Sequence, residues 1–319
     1  MNTMKWLIKR EFWEHKGGFF WAPVVVGAIM TTFLGLTLLF AATVGKHNLI
    51  QVNGVRVASL SAAMSVEDKA QFIDILTHGY MSTGMPLLMV LGFVVFFFCL
   101  GSLFDERKDR SVLFWKSLPV SDGETVLSKV AMALVVAPLI TLVFVTIVSI
   151  LSLVFVTSTA AIMGFNAIGA VLSSPAVYLA PFKLLAILPV YMLWALPTIG
   201  WLMMVSAWAR TKPFLWAVGI PLLTGALLSW SNAIFDFNWD IGWFWQNIVA
   251  RMLLSVAPGS WLGFTDAGRG IADHGATHMD SLLSHSWQAM ATANLWIGVL
   301  AGVAMLYAAI RLRRWKDEG

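Results

Sequence analysis

The sequence predicts an all-α polytopic membrane protein with six transmembrane helices. Of its 319 residues, 59% are hydrophobic and only 12% are charged, whereas about 25% of the residues in a soluble globular domain are charged. The apolar residues gather in long uncharged runs, and a helix needs about 20 such residues to cross the hydrocarbon core of a bilayer. These observations exclude a soluble enzyme and a disordered chain.

The chain begins with an amphipathic segment, residues 1–16. Within it Met4, Leu7, Ile8 and Phe12 recur at helical spacing, and basic residues lie between them. A helix with this pattern is expected to lie flat in a membrane interface and to keep its charged side chains in water.

Uncharged runs long enough for membrane crossings follow. Five of them fit one crossing each: Gly17–Gly45, Gly79–Phe104, Leu184–Ala209, Pro213–Phe235 and Ser286–Ile310.

A sixth run, Val130–Phe182, is long enough for two crossings. Its first half, Val130–Val156, is dense in valine, leucine and isoleucine and predicts one transmembrane helix. Its second half, Ser158–Pro181, is rich in small residues and contains two prolines, which favours an external segment near the interface. With one crossing here, the basic loops on either side of the run fall on the same side of the membrane.

The distribution of basic residues predicts the orientation. Of the 21 lysines and arginines, fifteen fall on the side that carries both termini and six on the other side. Because cytoplasmic loops carry an excess of lysine and arginine, both termini are expected in the cytoplasm. The expected location is a bacterial cytoplasmic membrane.

None of the six predicted crossings contains Asp, Glu, Lys, Arg or His. Ion-coupled transport and intramembrane chemistry generally require such groups inside the bilayer. The sequence also lacks the phosphate-binding pattern G-x-x-x-x-G-K-[ST]. The chain is therefore predicted not to be an enzyme and to bind no cofactor or metal, so that any work it does needs an outside energy source.

The loop between the second and third crossings, residues 105–121, combines charged and aromatic residues. A short helix over Asp109–Leu118 is predicted to end near Pro119, because the residue before a proline disfavours helical geometry. Ser121 and Glu124 match a capping box, which predicts the start of the next helix. A solvated charged hairpin is the alternative reading of this loop.

The external loop before the last crossing, residues 236–287, contains an apolar stretch interrupted by Arg251. A central arginine makes a full crossing costly, so an interfacial or re-entrant helix against the bundle is expected. His274 and His278 are four residues apart and could share a metal. The pattern has no fixed third ligand, and ordinary loop residues are the expected reading.

This order of elements resembles the permease subunits of ABC-2 type transporters, which have the type V exporter fold. The motif similarity is confined to residues 104–129. It consists of an acidic–arginine pair at Glu106 and Arg107, a short linker, and an apolar helix that ends in Leu-Pro-Val-Ser, followed by Leu-Ser-Lys129. Many members have a glycine in the linker, where this chain has Asp109-Arg110-Ser111.

The resemblance implies that this loop is a coupling helix that docks on a separate cytoplasmic ATPase subunit, which binds ATP and Mg²⁺. The residues expected to contact that subunit are Glu106, Arg107, Lys108, Asp109, Arg110, Phe114, Trp115, Lys116 and Leu118. It also implies a homo- or heterodimer of permease chains whose second and fifth helices line the translocation path. The residues expected there are Met85, Met89, Phe93, Phe96, Leu223 and Leu227.

The expected function is therefore export of a hydrophobic, lipid-like or peptidic substrate, with membrane lipid and no nucleic acid among the partners. One alternative is a membrane-embedded enzyme or assembly factor that acts through the external loop with His274 and His278. Another is a membrane anchor for a signalling complex that transports nothing.

Overall fold

The computed structural model describes residues 3–47, 50–52, 55–57, 60–109, 120–264 and 279–316. Its helices are α1 (Thr3–Glu14), α2 (Ala22–His47), α3 (Leu60–Ala63), α4 (Val66–His78), α5 (Met85–Gly101), α6 (Phe104–Lys108), α7 (Asp122–Ala131), α8 (Ala137–Ile162), α9 (Ile168–Ser173), α10 (Pro175–Trp208), α11 (Pro213–Phe235), α12 (Ile241–Phe244), α13 (Arg251–Leu254), α14 (Met279–Ala289) and α15 (Ala293–Lys316). π-Helical turns occupy Gly17–Trp21, Met132–Val136 and Trp245–Ala250, and 3₁₀ turns occupy Tyr80–Gly84 and Ser260–Phe264. The strands are β1 (Ile50–Val52) and β2 (Val55–Val57).

Six continuous helical segments in the described residues are long and apolar enough to cross a membrane, which confirms the number predicted from the sequence. We call them long helices 1 to 6, and they cover Gly17–Thr43, Tyr80–Lys108, Asp122–Ile162, Pro175–Trp208, Pro213–Phe235 and Ala293–Trp315.

The long uncharged run is divided differently from the prediction. Long helix 3 continues to Ile162 and long helix 4 begins at Pro175, so the predicted external segment Ser158–Pro181 contributes to both helices. The short α9 lies between them. Pro175 occupies the first turn of its helix, where a missing backbone N–H costs nothing, so this proline starts a helix instead of ending one.

The last crossing also begins later than predicted. Ser286 belongs to the separate helix α14, and long helix 6 starts at Ala293. The prediction contained no strands, yet β1 and β2 pair antiparallel, with Ile50 opposite Val57. This small ribbon follows long helix 1 in the chain.

Long helix 4 lies in the main core and packs along long helix 6 on small residues. A Cβ on Gly200 would lie 2.5 Å from the carbonyl oxygen of Gly302, and a Cβ on Gly302 would lie 2.7 Å from the carbonyl of Leu196. Small residues at such contacts allow two helix backbones to approach closely. The glycines of long helix 6 therefore form a seam within the chain.

Both ends of the described chain lie at the same end of the bundle, because α1 and α15 both pack on α7. We call this the termini end and the opposite one the loop end. At the loop end, Lys183 of long helix 4 forms a 2.6 Å ion pair with Asp280 of α14. Lys183 lies within the fourth long helix, which begins earlier than the charge-free crossing predicted from Leu184 onward.

The apolar residues of helix α1 were expected to face lipid. They face the protein instead. Leu7 is buried, and Ile8 and Phe12 pack against the core. Trp6 and Trp13 are instead 58% and 59% exposed. Their rings lie 5.2 and 5.0 Å from the ammonium groups of the lysines three residues further along the chain. The outward face of α1 is therefore aromatic and basic.

Candidate functional site

The termini end contains a cluster of charged side chains that joins four segments of the chain. We call it the charged cluster, and its members are Arg10 and Glu11 of α1, Glu106 of α6, Asp122 and Lys129 of α7, and Arg313 of α15. Three of these groups are cations and three are anions, and Arg10 also pairs with Glu14 of α1 at 3.1 Å. The cluster connects α1 with the ends of long helices 2, 3 and 6.

The deepest contact in the charged cluster is between Glu11 and Lys129. Glu11 is 0% exposed and Lys129 is 1% exposed. The ammonium of Lys129 donates to both carboxylate oxygens of Glu11, at 3.0 and 2.9 Å. Taking two charges out of water is costly, and their attraction compensates for it only when the geometry is good and further hydrogen bonds are made.

Glu106 provides those further contacts at the centre of the cluster. Its Oε1 lies 3.0 Å from Lys129 Nζ and 2.9 Å from Arg10 Nη2, and its Oε2 accepts a 2.7 Å hydrogen bond from Arg313 Nη1. Arg313 Nε in turn donates to Asp122 Oδ1 at 3.1 Å. Each carboxylate oxygen of Glu106 is therefore held by cations of the same chain.

Glu106 was expected to contact a partner ATPase; its carboxylate pairs with cations of its own chain, and the contact with a partner stays a prediction. Glu106 is only 9% exposed and directs its carboxylate into the bundle. The physical reason is that three cations from three other segments surround it, which an argument from the loop alone does not reveal.

Arg107 is also directed inward and binds the end of long helix 4. Its Nη2 donates to the backbone carbonyls of Ser206 and Ala209, the latter at 2.9 Å. The hydroxyl oxygen of Ser206 accepts the backbone N–H groups of Leu103 and Phe104, at 3.1 and 3.0 Å. The ends of long helices 2 and 4 are thus joined by four hydrogen bonds, and the predicted contact of Arg107 with a partner subunit stays a prediction.

Of the other residues predicted to contact the partner, two are exposed and five lie outside the residues that the structure describes. Lys108 and Asp109 are exposed at the termini end. Five further residues lie outside the described residues, so their role stays a prediction: Arg110, Phe114, Trp115, Lys116 and Leu118.

A capping box anchors the chain at the start of long helix 3, just after the residues that the structure does not describe. The hydroxyl of Ser121 accepts the backbone N–H of Glu124 at 3.1 Å, and the Glu124 carboxylate accepts the backbone N–H of Ser121 at 2.9 Å. This confirms the predicted capping box. The loop 105–121 is therefore fixed before and after its central residues.

The predicted path residues lie mostly on the outside of a single chain. Met89, Phe93, Leu223 and Leu227 are between 58% and 71% exposed, and Met85 is 38% exposed. Long helices 2 and 5 are neighbours, since the rings of Phe97 and Phe214 stack with centroids 6.3 Å apart. Phe96 differs from the others because it is partly buried and packs against the core.

One group at the termini end has the residue types of a metal site, although none was predicted. Ligand atoms of Glu11, Glu14 and His15 lie within 4.8 Å of one another. Lys129 already holds both oxygens of Glu11, and Arg10 Nε lies 3.1 Å from Glu14. A metal ion would have to displace these cations, so we assign the group to the ion pairing of this end.

Two polar residues that follow the undescribed part of the loop 236–287 have partners within the chain. Asp280 is paired with Lys183, and His285 Nδ1 lies 2.6 Å from the carbonyl oxygen of Ser281. His274 and His278 lie outside the described residues.

The apolar stretch of that loop places Arg251 against long helices 4 and 6. The guanidinium carbon of Arg251 lies 3.6 Å from the centroid of the Trp194 ring, and Nη2 donates to the carbonyl of Asn294 at 3.3 Å. The side chain is 5% exposed. Arg251 is therefore packed against the bundle, and the interfacial or re-entrant position of this segment in a membrane stays a prediction.

The chain was compared with protein families, curated proteins and solved structures. No protein-family model, no curated protein and no solved structure matches the chain.

Proposed function

We propose that this chain is the transmembrane subunit of an ATP-driven exporter of the ABC-2 type, powered by a separate cytoplasmic ATPase that binds ATP and Mg²⁺. The observation that supports this most is the attachment of the loop 105–121. Glu106 joins the base of the loop to α1 and to long helices 3 and 6, and Arg107 joins it to long helix 4. A displacement of the loop would therefore move four long helices together.

The distribution of charge favours such mechanical input over an ion gradient. In the described part of the six long helices, the charged residues lie within about three turns of a helix end. Ion-coupled transporters instead place ionisable groups near the middle of the bilayer. Energy is therefore proposed to enter through the loop at the termini end.

The outward faces of long helices 2 and 5 are proposed to meet a second permease chain. Met89 and Phe93 on one helix and Leu223 and Leu227 on the other form an exposed apolar surface. Between two copies this surface would border a path suited to a hydrophobic, lipid-like or peptidic substrate. The termini end is proposed to lie in the cytoplasm, at a bacterial cytoplasmic membrane, and the excess of lysine and arginine on that side supports this orientation.

Purification of the tagged full chain from its native membrane tests the proposal. After extraction in a mild detergent, mass spectrometry should identify a P-loop ATPase in a near-constant ratio to the chain. ATP hydrolysis by this complex should need Mg²⁺. A chain that purifies without any ATPase, while remaining monodisperse, would contradict the proposal.

A further inference from the structure

A cavity of about 200 Å³ lies between the middle of the bundle and the loop end. Its walls come from long helices 2, 3 and 4, from the segment that follows α13, and from α14. The lining includes Met89 of long helix 2, Leu142 of long helix 3, and Ile187 and Tyr191 of long helix 4. Trp261 closes it on the side of the external segment.

The buried polar side-chain groups of the lining already have partners within the chain. The hydroxyl of Tyr191 donates to the backbone carbonyl of Val256 at 3.2 Å, and the indole N–H of Trp261 donates to the hydroxyl of Ser286 at 3.0 Å. Among the lining residues, all of which are described, no buried side-chain nitrogen or oxygen lacks a partner. A polar occupant would lose its hydrogen bonds to water without replacement, so the cavity selects hydrocarbon.

The size of the cavity suits part of a single alkyl chain. An apolar cavity of about 150 Å³ in a soluble protein stays dry and accepts a molecule the size of benzene. The cavity in this chain is slightly larger and equally apolar. It is too small for two chains side by side.

The cavity opens on the face of long helix 2. Ile187, Tyr191 and Trp261 form its deep wall and are at most 5% exposed, whereas Met85 and Met89 are 38% and 71% exposed. Methionine side chains are flexible and adapt to irregular apolar partners. Because long helix 2 is apolar enough to cross a membrane, this opening would face bilayer hydrocarbon in a single chain and the proposed path between two copies.

We propose that the cavity binds one hydrocarbon chain of a membrane amphiphile, which enters beside Met85 and Met89. The polar head of the amphiphile remains outside. This site does not depend on an ATPase partner, although its mouth shares the two methionines with the predicted path.

The test is photolabelling of the purified full chain in lipid nanodiscs. Two probes are used: a long-chain fatty acid with a diazirine at its end, and a phosphatidylcholine that carries the same chain. Mass spectrometry should find the label on deep-wall residues such as Ile187 and Trp261. The phosphatidylcholine probe alone indicates a bilayer lipid as the source, and both probes indicate a site open to any amphiphile of this chain; either result supports the proposal.

Cavity-filling variants provide the control. Leu142→Trp and the smaller Leu142→Phe should reduce deep-wall labelling about tenfold, as expected for exclusion from a defined site. Val143→Trp changes the adjacent residue, which is 58% exposed on the outer surface, and should leave the labelling unchanged. Each variant must elute as a monodisperse peak. Labelling that is confined to outward residues, or that is equal in all folded variants, would overturn the proposal.

Discussion

The ammonium of Lys129 donates to both carboxylate oxygens of Glu11, at 3.0 and 2.9 Å, although the two residues are 118 positions apart in the chain. Both side chains are fully buried. The pair fastens α1 to the start of long helix 3 and, through Glu106, to the base of the loop 105–121. The N-terminal helix is thereby part of the same unit as the loop.

Replacing Lys129 should destabilise the protein strongly. Lys129→Met leaves buried Glu11 with Arg10 as its remaining cation and also removes a cation from Glu106, and breaking a buried pair costs about 3–5 kcal/mol. The midpoint of thermal unfolding in detergent should fall. Lys108→Met, at an exposed position nearby, is the control and should have little effect. The double variant Glu11→Gln with Lys129→Met should recover part of the loss, and a double variant less stable than Lys129→Met would contradict the assigned pairing.

Replacing glycine by alanine should lower the stability of the protein at the seam between long helices 4 and 6 but not at an open position. Gly302→Ala should cost about 1–3 kcal/mol, the usual effect of overpacking, because its new methyl group would meet the backbone of Leu196. Gly219→Ala should be neutral, since a Cβ there meets nothing within 4 Å. The two variants are compared by thermal unfolding, and equal stability would show that the seam is not tightly packed.

Cysteine labelling should reveal the orientation in the membrane. Ser61→Cys and Ser281→Cys should react with an impermeant maleimide added outside intact cells, because the proposed orientation, which rests on the excess of lysine and arginine at the termini end, predicts both positions on the external side. Ser117→Cys should react only after the membrane is opened. Cys99 is 0% exposed and should give little background. External labelling at position 117 would overturn the proposed orientation.

Disulfide crosslinking should locate the surface between two copies of the chain. Met89→Cys or Phe93→Cys should form a covalent dimer if long helices 2 and 5 face a second permease. Phe33→Cys on long helix 1, which is 73% exposed in the wild type, is the matched control. Strong crosslinking at position 33 with none at 89 or 93 would place the dimer surface elsewhere.

The six long helices could be predicted because the thickness of the bilayer sets the length of an apolar run. The division of the run Val130–Phe182 into two helices could not be predicted, because composition alone does not distinguish a proline that begins a helix from one that ends it. Pro175 begins long helix 4. The predicted capping box at Ser121 is local in sequence, and it is confirmed.

The charged cluster depends on contacts between distant residues, which explains why the sequence did not reveal it. Glu106 and Arg313 are 207 positions apart, and neither residue looks unusual in its own segment. One local signal was present. Glu11 interrupts the apolar stripe of α1 beside Leu7 and Phe12, and a carboxylate at such a position needs a buried cation.

The measurement that tests the central claim most directly is binding of the ATPase to variants of the loop 105–121. The double variant Phe114→Ala with Trp115→Ala should lose about 2–4 kcal/mol of docking energy if the two aromatics are hot spots. Ser111→Ala with Ser117→Ala, in the same loop, should bind normally. Because the charged cluster anchors the base of the loop through Glu106, both variants are expected to unfold at the wild-type temperature. Loss of the ATPase only from the aromatic variant is the predicted result, and normal binding and ATP hydrolysis with that variant would contradict the account.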